Sequence, residues 1–408
     1  MKTVCFVVRS FPVVSQTFVV NQIIAAKKQG FKVKILTKNL NDNSNSSQEK
    51  LIIQHDLRAD VLIENYAIPR SKITRFTLAL WLIISNFNSW LILKKDLDNY
   101  KDRLLKLPFK IAFYKALKKI DVFHIQFAVA GLDLAKMKAL GLLHGKLVTT
   151  FHGYDAHYST EGELSNLKKR YAYLIAQSET ITVNTPFLER QVVKLGAVVH
   201  KMHIIPMGIE VDYFKPVKKN TLPKNKQVEL LSIGRLIEFK GFYYAIQAVK
   251  HLVNQGYNVK YTIVGEGQLQ EELDNLIISL QLENHVVLAG KKSQTAIKKI
   301  LHESHIFLMS SIIDRTGRGE TQGVVTAEAQ AAGLPVVAFN CGGIPYTIEQ
   351  GVTGILVPEK QAFEYAEAIT SIIDSPKKHE MMSQAAVAFV ADNFTNVLMG
   401  KRFAELYD

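Results

Sequence analysis

The sequence predicts an α/β protein built from two doubly wound parallel sheets, each with helices on both faces. Three observations carry this. Short apolar runs alternate with helix-length segments along the whole chain, the pattern of parallel strands joined by crossover helices. The alternation breaks at residues 206–227, where Pro216-Val-Lys-Lys-Asn-Thr-Leu-Pro223-Lys-Asn-Lys has linker composition and no apolar period. The 408 residues suit two domains of roughly 200 residues, each large enough for its own core.

In the first half, residues 3–8, 32–37, 122–126, 147–151, 180–183 and 201–205 read as strands, and the polar stretch 39–48 as a loop. In the second half the strands are 228–233, 260–264, 286–289, 306–309 and 336–339. A turn follows strand 228–233 and a helix starts near Gly241. Gly323 permits a tight turn before a helix over residues 324–332, and Gly333-Leu-Pro335 ends that helix before the last strand. No repeat of solenoid length is present.

Composition narrows the setting. Cys5 and Cys341 lie far apart, in or beside predicted strands, so a reducing compartment is expected rather than a disulfide framework. The apolar run after Met1 stops at Arg9, too short for an export signal, and reads as the first strand. The most hydrophobic window, Leu78-Ala-Leu-Trp-Leu-Ile-Ile84, is interrupted before Trp90 and falls short of the roughly 20 residues of a spanning helix. Charge is uneven: residues 1–210 carry 30 Lys+Arg against 16 Asp+Glu, whereas residues 211–408 carry 20 against 21. The excess is densest over residues 94–119, with nine basic residues and three acids, beside the segment holding Trp81 and Trp90. Such a cluster suits docking on an anionic membrane, or is a plain solvated face. No recognised nucleic-acid module accompanies it, so nucleic acid is not an expected partner.

The richest stretch for chemistry is Glu320-Thr-Gln-Gly-Val-Val-Thr-Ala-Glu328. It places Glu320 in a loop and Glu328 about one turn inside the following helix, with amides near Gly323, Val324 and Val325 aimed at any anion between them. Paired glutamates at a helix start can also be caps or solvated charges. Arg235 and Lys240 leave strand 228–233 on one short loop, where two cations can clamp a diphosphate. Glu328 can accept from both hydroxyls of a ribose. Gly265, in Gly265-Glu-Gly267, marks a nucleotide-binding turn or an ordinary one. His152 follows strand 147–151 and precedes Gly153, which sets it at a strand's carboxyl end, where open α/β sheets bind ligands. Asp155 reads as an acceptor-side residue or a helix cap. Ser15, Gln16 and Thr17 offer hydroxyl and amide groups on the acceptor side but no general base. No His/Asp/Glu cluster has metal-ligand spacing, so no metal is expected.

Together, and in this order, Gly234-Arg235, Lys240-Gly241, Gly265-Glu-Gly267, the Glu320/Glu328 pair, Gly333-Leu-Pro-Val-Val and Gly342-Gly343-Ile-Pro345 resemble the retaining glycosyltransferases of family four, which have two Rossmann-like domains in the GT-B arrangement. Phe11-Pro-Val-Val-Ser15-Gln16-Thr17-Phe18, His124-Ile-Gln-Phe127, Thr149-Thr-Phe-His152-Gly153-Tyr-Asp155 and Ile205-Pro-Met-Gly208-Ile are similar to a narrower branch, the exopolysaccharide enzymes of the colanic acid and amylovoran type. Three positions depart from the pattern: Thr321 where Gly is usual, Tyr346 where Glu is common, and Glu210 where Asp is more frequent. Thr321 leaves the choice of donor sugar open.

The resemblance implies an acceptor-binding domain over residues 1–205, a linker over 206–227, a nucleotide-sugar-binding domain over 228–385, and a final segment over 386–408 that crosses back to the first domain. The ligand cleft then lies between the domains. His152, Arg235, Lys240 and Glu320 form the implied catalytic set, with His152 and Glu320 on the hexose. Both glutamates lie on the donor side, which favours a front-face displacement over the two-carboxylate scheme of glycosidases. The expected function is a retaining, metal-independent hexosyltransferase using a UDP- or GDP-linked sugar and no other cofactor. Its expected acceptor is a polyprenyl-diphosphate-linked glycan of cell-surface polysaccharide synthesis, met on the cytoplasmic face of the plasma membrane. A GT-B-like sugar-nucleotide epimerase and a non-catalytic nucleotide- or carbohydrate-binding protein are the alternatives.

Overall fold

The computed structural model describes residues 1–13, 16–42, 48–95, 106–216, 221–223 and 227–408. Strands β1 (Thr3–Phe11), β2 (Lys32–Leu40), β3 (Val61–Ile63), β4 (Val122–Gln126), β5 (Lys146–Thr150), β6 (Thr180–Val183) and β7 (Met202–Ile204) form one sheet, in the order β3-β2-β1-β4-β5-β6-β7. Strands β8 (Val228–Ile233), β9 (Val259–Val264), β10 (Val286–Gly290), β11 (Ile306–Met309), β12 (Val336–Phe339) and β13 (Gly354–Val357) form the second, in the order β10-β9-β8-β11-β12-β13. Every pairing is parallel. These are two doubly wound, Rossmann-like domains. The order reverses between β1 and β4 and again between β8 and β11, and each reversal leaves a crevice at the carboxyl edge.

Strands covered on both faces must be apolar throughout, and β11 and β12 are buried at every position. The interior strands show in the sequence as apolar runs, whereas β3 and β13 do not. Both are edge strands of three and four residues, paired on one side only and too short to show a period. β4 is equally buried yet contains His124 and Gln126, both fully buried. Their polar atoms must therefore find partners inside the protein.

Two chain crossings join the domains side by side. On the way out, the Ile209 amide donates to the Phe394 carbonyl at 2.8 Å, and the Asn396 amide returns a bond to the Ile209 carbonyl at 3.1 Å. Helix Pro376–Asn393 buries Met382, Ala386 and Val390 and stays with the second domain. The return crossing falls at Phe394–Thr395, so residues 386–393 of the expected crossing segment do not leave that domain. The Thr395 hydroxyl then accepts from the Leu398 amide at 3.0 Å, starting helix Asn396–Tyr407. Met399, Phe403 and Tyr407 enter the core around Phe6 and Ile23. Gly400 lets this helix close on helix Thr17–Lys28, since a Cβ there would stand 2.9 Å from that of Ala25.

Helix Lys72–Ser85 turns an apolar face outward: Ile73, Phe76, Leu80, Trp81 and Ile84 are exposed, while Ala79 and Leu82 are buried. Trp90, expected beside Trp81, instead packs inward on the core. The basic cluster is also smaller than its sequence suggests. Lys110 is buried and paired with Asp133 at 2.6 Å, and Lys115 donates to Asn86 at 2.6 Å. Lys101 and Arg103 lie outside the described residues. Among the described residues no helix is long and apolar enough to cross a membrane.

Phe403 is 3% exposed, so Phe403→Ala should cost about 3–5 kcal/mol. The expected outcome is an early loss of the first domain in urea, followed by tryptophan fluorescence, since Trp81 and Trp90 both lie in that domain. An unchanged midpoint would show that the crossing helix is dispensable.

Candidate active site

The carboxyl edges of the two sheets meet across a cleft with two adjoining cavities, of about 520 and 300 Å3, which share Phe18, Met207 and Glu320 in their walls. The smaller gathers Lys240, Gly323, Val324, Val325 and Glu328 from the second domain and Thr17 from the first. Gly323 caps helix Val324–Ala331 in the left-handed region, at φ 76°, and this turns the first amides of the helix toward the cavity. Glu328 lies on the second turn, and burial pushes its carboxyl up to about 7. Lys240 follows β8 on a short 3-10 turn and forms an ion pair with Glu320; the two side chains are 13% and 17% exposed. Much of Lys240's charge is thus already met by Glu320.

The larger cavity is lined by Gln16, Phe127 and His152 from the first domain and by Arg235, Arg318 and Thr321 from the second. The His152 ring lies between Phe18 and Phe127, each 4.5 Å away between centroids, and burial pushes its pKa down to about 3. It is therefore neutral. Its Nε2 lies 2.8 Å from the Gln126 side-chain oxygen, an acceptor, which fixes the proton on Nε2. The Gln126 amide nitrogen is spent on Gln22 at 2.7 Å and on His124 at 3.0 Å, and His124 continues to the Tyr407 hydroxyl at 2.6 Å. This line of buried groups explains His124 and Gln126 in β4 and ties the His152 ring to the crossing helix. It leaves the His152 Nδ1 lone pair without a partner among the described residues.

Not every expected residue reaches the cleft. Asp155 is buried, and its carboxylate accepts from the amides of Ala128 at 2.8 Å, His152 at 3.0 Å and Gly153 at 3.1 Å. Its acceptor capacity goes into bracing the His152 loop, and it lines neither cavity. Gly265 lies behind the site, where a side chain would strike the Gly234 carbonyl; it supports the Arg235 loop and does not line it. Ser15 lies outside the described residues.

Arg318 and Gln322 shape the site but escape a sequence reading, and Thr321, visible there only as a departure from the family pattern, fastens the loop. Arg318 lines the larger cavity with its guanidinium 4.8 Å from the Phe239 ring. Thr321 donates from its hydroxyl to the His152 carbonyl at 3.1 Å, while the Thr185 hydroxyl donates to the Thr321 carbonyl at 2.7 Å. Gln322 is fully buried and bonds both ways with the Met207 backbone, accepting from its amide at 2.8 Å and donating to its carbonyl at 3.0 Å. The Gly317-Arg318-Gly319 run was a visible signal for Arg318; Gln322 had none.

The fold and the cleft define a two-domain GT-B glycosyltransferase. Residues 15–213 match the model of the family described as Glycosyltransferase Family 4, and residues 214–388 that described as Glycosyl transferases group 1. The chain is 32% identical to the amylovoran biosynthesis glycosyltransferase AmsK of Erwinia amylovora, over 99% of this chain and 98% of that protein. It is 29% identical to the putative colanic acid biosynthesis glycosyltransferase WcaL of Escherichia coli K12, over 98% of each. The crystal structure of Anabaena HepE in complex with UDP matches its fold with a TM-score of 0.72 at 18% identity, covering 100% of this chain and 99% of that one. The chain belongs to the family-four glycosyltransferases, alongside the amylovoran and colanic acid enzymes.

Glu328 supplies a pH test whose sign is fixed. Its folded pKa lies above the ordinary 4.5, so its charge destabilises the empty protein increasingly as pH rises from 4.5 to about 7. Glu328→Gln should therefore raise the melting temperature at pH 8 and have little effect at pH 4.5. Ribose hydroxyls donate best to the ionised form, so UDP affinity should rise between pH 6 and 8 more steeply in the wild type than in Glu328→Gln, which lacks this carboxylate. Parallel pH profiles would remove Glu328 from the ribose.

Proposed function

We propose that this protein moves a hexose from a UDP- or GDP-sugar, with retention at the anomeric carbon, onto a lipid-linked glycan during exopolysaccharide assembly. One observation carries the donor half. Groups suited to each part of a nucleotide sugar converge in one cleft: Glu328 for the ribose, Arg235, Lys240 and the amides of Val324 and Val325 for the diphosphate, and neutral His152 for the hexose. That HepE has been crystallised with UDP-glucose, and the roles in the names of AmsK and WcaL, support the same reading.

In this reading the entering diphosphate takes over Lys240, and Glu320 exchanges its ion-pair partner for a sugar hydroxyl. His152 Nδ1 accepts from another. As the bond from the anomeric carbon to the phosphate oxygen breaks, the growing negative charge falls on groups already aimed at it. The acceptor oxygen bonds to that carbon from the same face, and its proton passes to the departing phosphate oxygen, so configuration is retained and no protein base is required. Side-chain cations and helix amides meet the phosphate charge, and transfer is expected to survive EDTA.

The lipid-linked part rests on helix Lys72–Ser85, whose outward apolar face fits the boundary of an anionic inner leaflet reached from the cytoplasm. Exposed Arg70, Lys72, Lys118 and Lys119 would each add about 1 kcal/mol where they lie near such a surface, screened by salt.

Arg235→Ala and Lys240→Ala should each weaken UDP or GDP binding by about 1.5–3 kcal/mol in calorimetry. His152→Ala and Glu320→Ala should lower transfer more than they lower binding of the sugar-free diphosphate. Unchanged affinity in the first pair would remove this cleft from the reaction.

The membrane contact is tested by co-sedimentation with phosphatidylglycerol-containing and phosphatidylcholine-only vesicles. The wild type should pellet with the former at low salt, and a variant with Phe76, Trp81 and Ile84 changed to Ser should not. Equal pelleting of the two proteins would leave the exposed face without this role.

A further inference from the structure

The first domain holds another cavity, of about 470 Å3, apart from the two in the cleft. Lys38 reaches it from the end of β2, Glu64 and Tyr66 from the turn after β3, Lys110 from helix Leu107–Ala116, and Asp133 from the start of helix Leu132–Ala139, which follows β4. These positions lie on the carboxyl edge of the sheet, the edge that also carries His152. The charged groups are knit together. Asp133 accepts from Lys110 at 2.6 Å and from Lys38 at 3.4 Å, and Lys38 stands 3.7 Å from Glu64. Glu64 also accepts from Tyr114 at 2.9 Å and from Tyr66. Burial would raise the Asp133 carboxyl, but Lys110 and Lys38 outweigh it and hold the group below its ordinary range.

Apolar residues would hold this corner of the fold at least as well as buried charges do, so the polar lining calls for another explanation. The lining also selects a ligand. Three ammonium groups (Lys38, Lys106, Lys110) and two carboxylates (Glu64, Asp133) leave neither a phosphate nor a metal cation an unopposed lining, and polar walls disfavour an acyl chain. A neutral sugar ring fits: its hydroxyls donate to the carboxylates and accept from the ammonium groups, and its C–H face can lie on Tyr66.

We propose that this cavity binds a sugar unit of the acceptor glycan, remote from the unit that receives the hexose. The proposal rests on the glycosyl-transfer reading above and extends it to the size of the acceptor. Lys38 at the end of β2 and Glu64 after β3 stand three and four strand positions from β5, which His152 follows, about 15–20 Å at ordinary strand spacing. One sugar ring does not span that gap, so the acceptor is an oligosaccharide. Tyr66 and Ile68 in the cavity wall pack against Ala79 and Leu82 of the helix with the exposed apolar face. A glycan held here runs from the transfer site toward that helix, as one tethered to a lipid must.

The test uses the full chain and sized fragments of the exopolysaccharide made by the strain that encodes it, released by partial acid hydrolysis, with binding measured by calorimetry in the presence of UDP or GDP. Oligosaccharide fractions should bind more tightly than monosaccharides. Lys38→Gln, at a half-exposed position, should lower oligosaccharide affinity about tenfold while leaving monosaccharide and nucleotide binding unchanged, and Asp133→Asn should act in the same direction. Oligosaccharides that bind no tighter than monosaccharides, or variants that bind them like the wild type, would overturn the subsite. A wild type that binds neither UDP nor GDP would instead overturn the glycosyltransferase reading beneath it.

Discussion

Gln322 has no exposed side-chain surface, and both ends of its amide are taken by the backbone of Met207, on the chain leaving the first sheet. A buried amide left half satisfied would be costly, so this pair of bonds sets the spacing between the domains at this point of the cleft. The neighbours on either side are positioned as a result. Glu320 is left facing Lys240, and Gly323 is left to turn the chain into the helix whose first residues line the smaller cavity. Thr321 repeats the device one residue earlier by fastening the same loop to the His152 carbonyl and to Thr185. This loop therefore belongs to one domain by sequence and is held by both.

The site is organised before any substrate arrives. Asp155 fixes the backbone around His152, while Gln126 fixes which ring nitrogen carries the proton. Phe18 and Phe127 exclude water from the faces of the ring, and desolvation keeps it neutral. Across the cleft, the Lys240–Glu320 pair keeps two charges compensated that would be costly to hold singly in a half-buried space. Catalysis by such a site needs little reorganisation when charge develops.

Much of this was legible in the sequence, for physical reasons that vary by residue. Interior strands announce themselves because covered parallel strands are apolar throughout; the edge strands β3 and β13 do not, being short and paired once. Lys240, Glu320, Glu328 and His152 were readable because each sits next to a strand end or helix start that the local pattern already locates. Gln126, Gln322 and Tyr407 were not, because their roles are set by partners far along the chain: 115 residues separate Gln322 from Met207, and 283 separate His124 from Tyr407. Lys110 misled for the same reason, since nothing local reveals that Asp133 draws it inside. The three departures from the family pattern share one location. Thr321 bonds His152, the Tyr346 hydroxyl accepts from Arg190 at 3.3 Å, and Glu210 accepts from Asn396 at 3.4 Å. All three lie where the two domains touch.

Helix Asn396–Tyr407 gives Met399, Phe403 and Tyr407 to the core of the first domain, but a ribosome makes it only after every strand of the second. Domains usually mature in the order of synthesis, and here that order is inverted at the last step. The first sheet emerges early with an unfilled apolar groove beside helix Thr17–Lys28, whereas residues 228–393 form a contiguous unit that can finish without waiting. The groove stays open for the time it takes to translate that unit. For this interval the nascent chain carries an apolar surface that its own distant segment later covers, so the first domain, although synthesised first, is completed last.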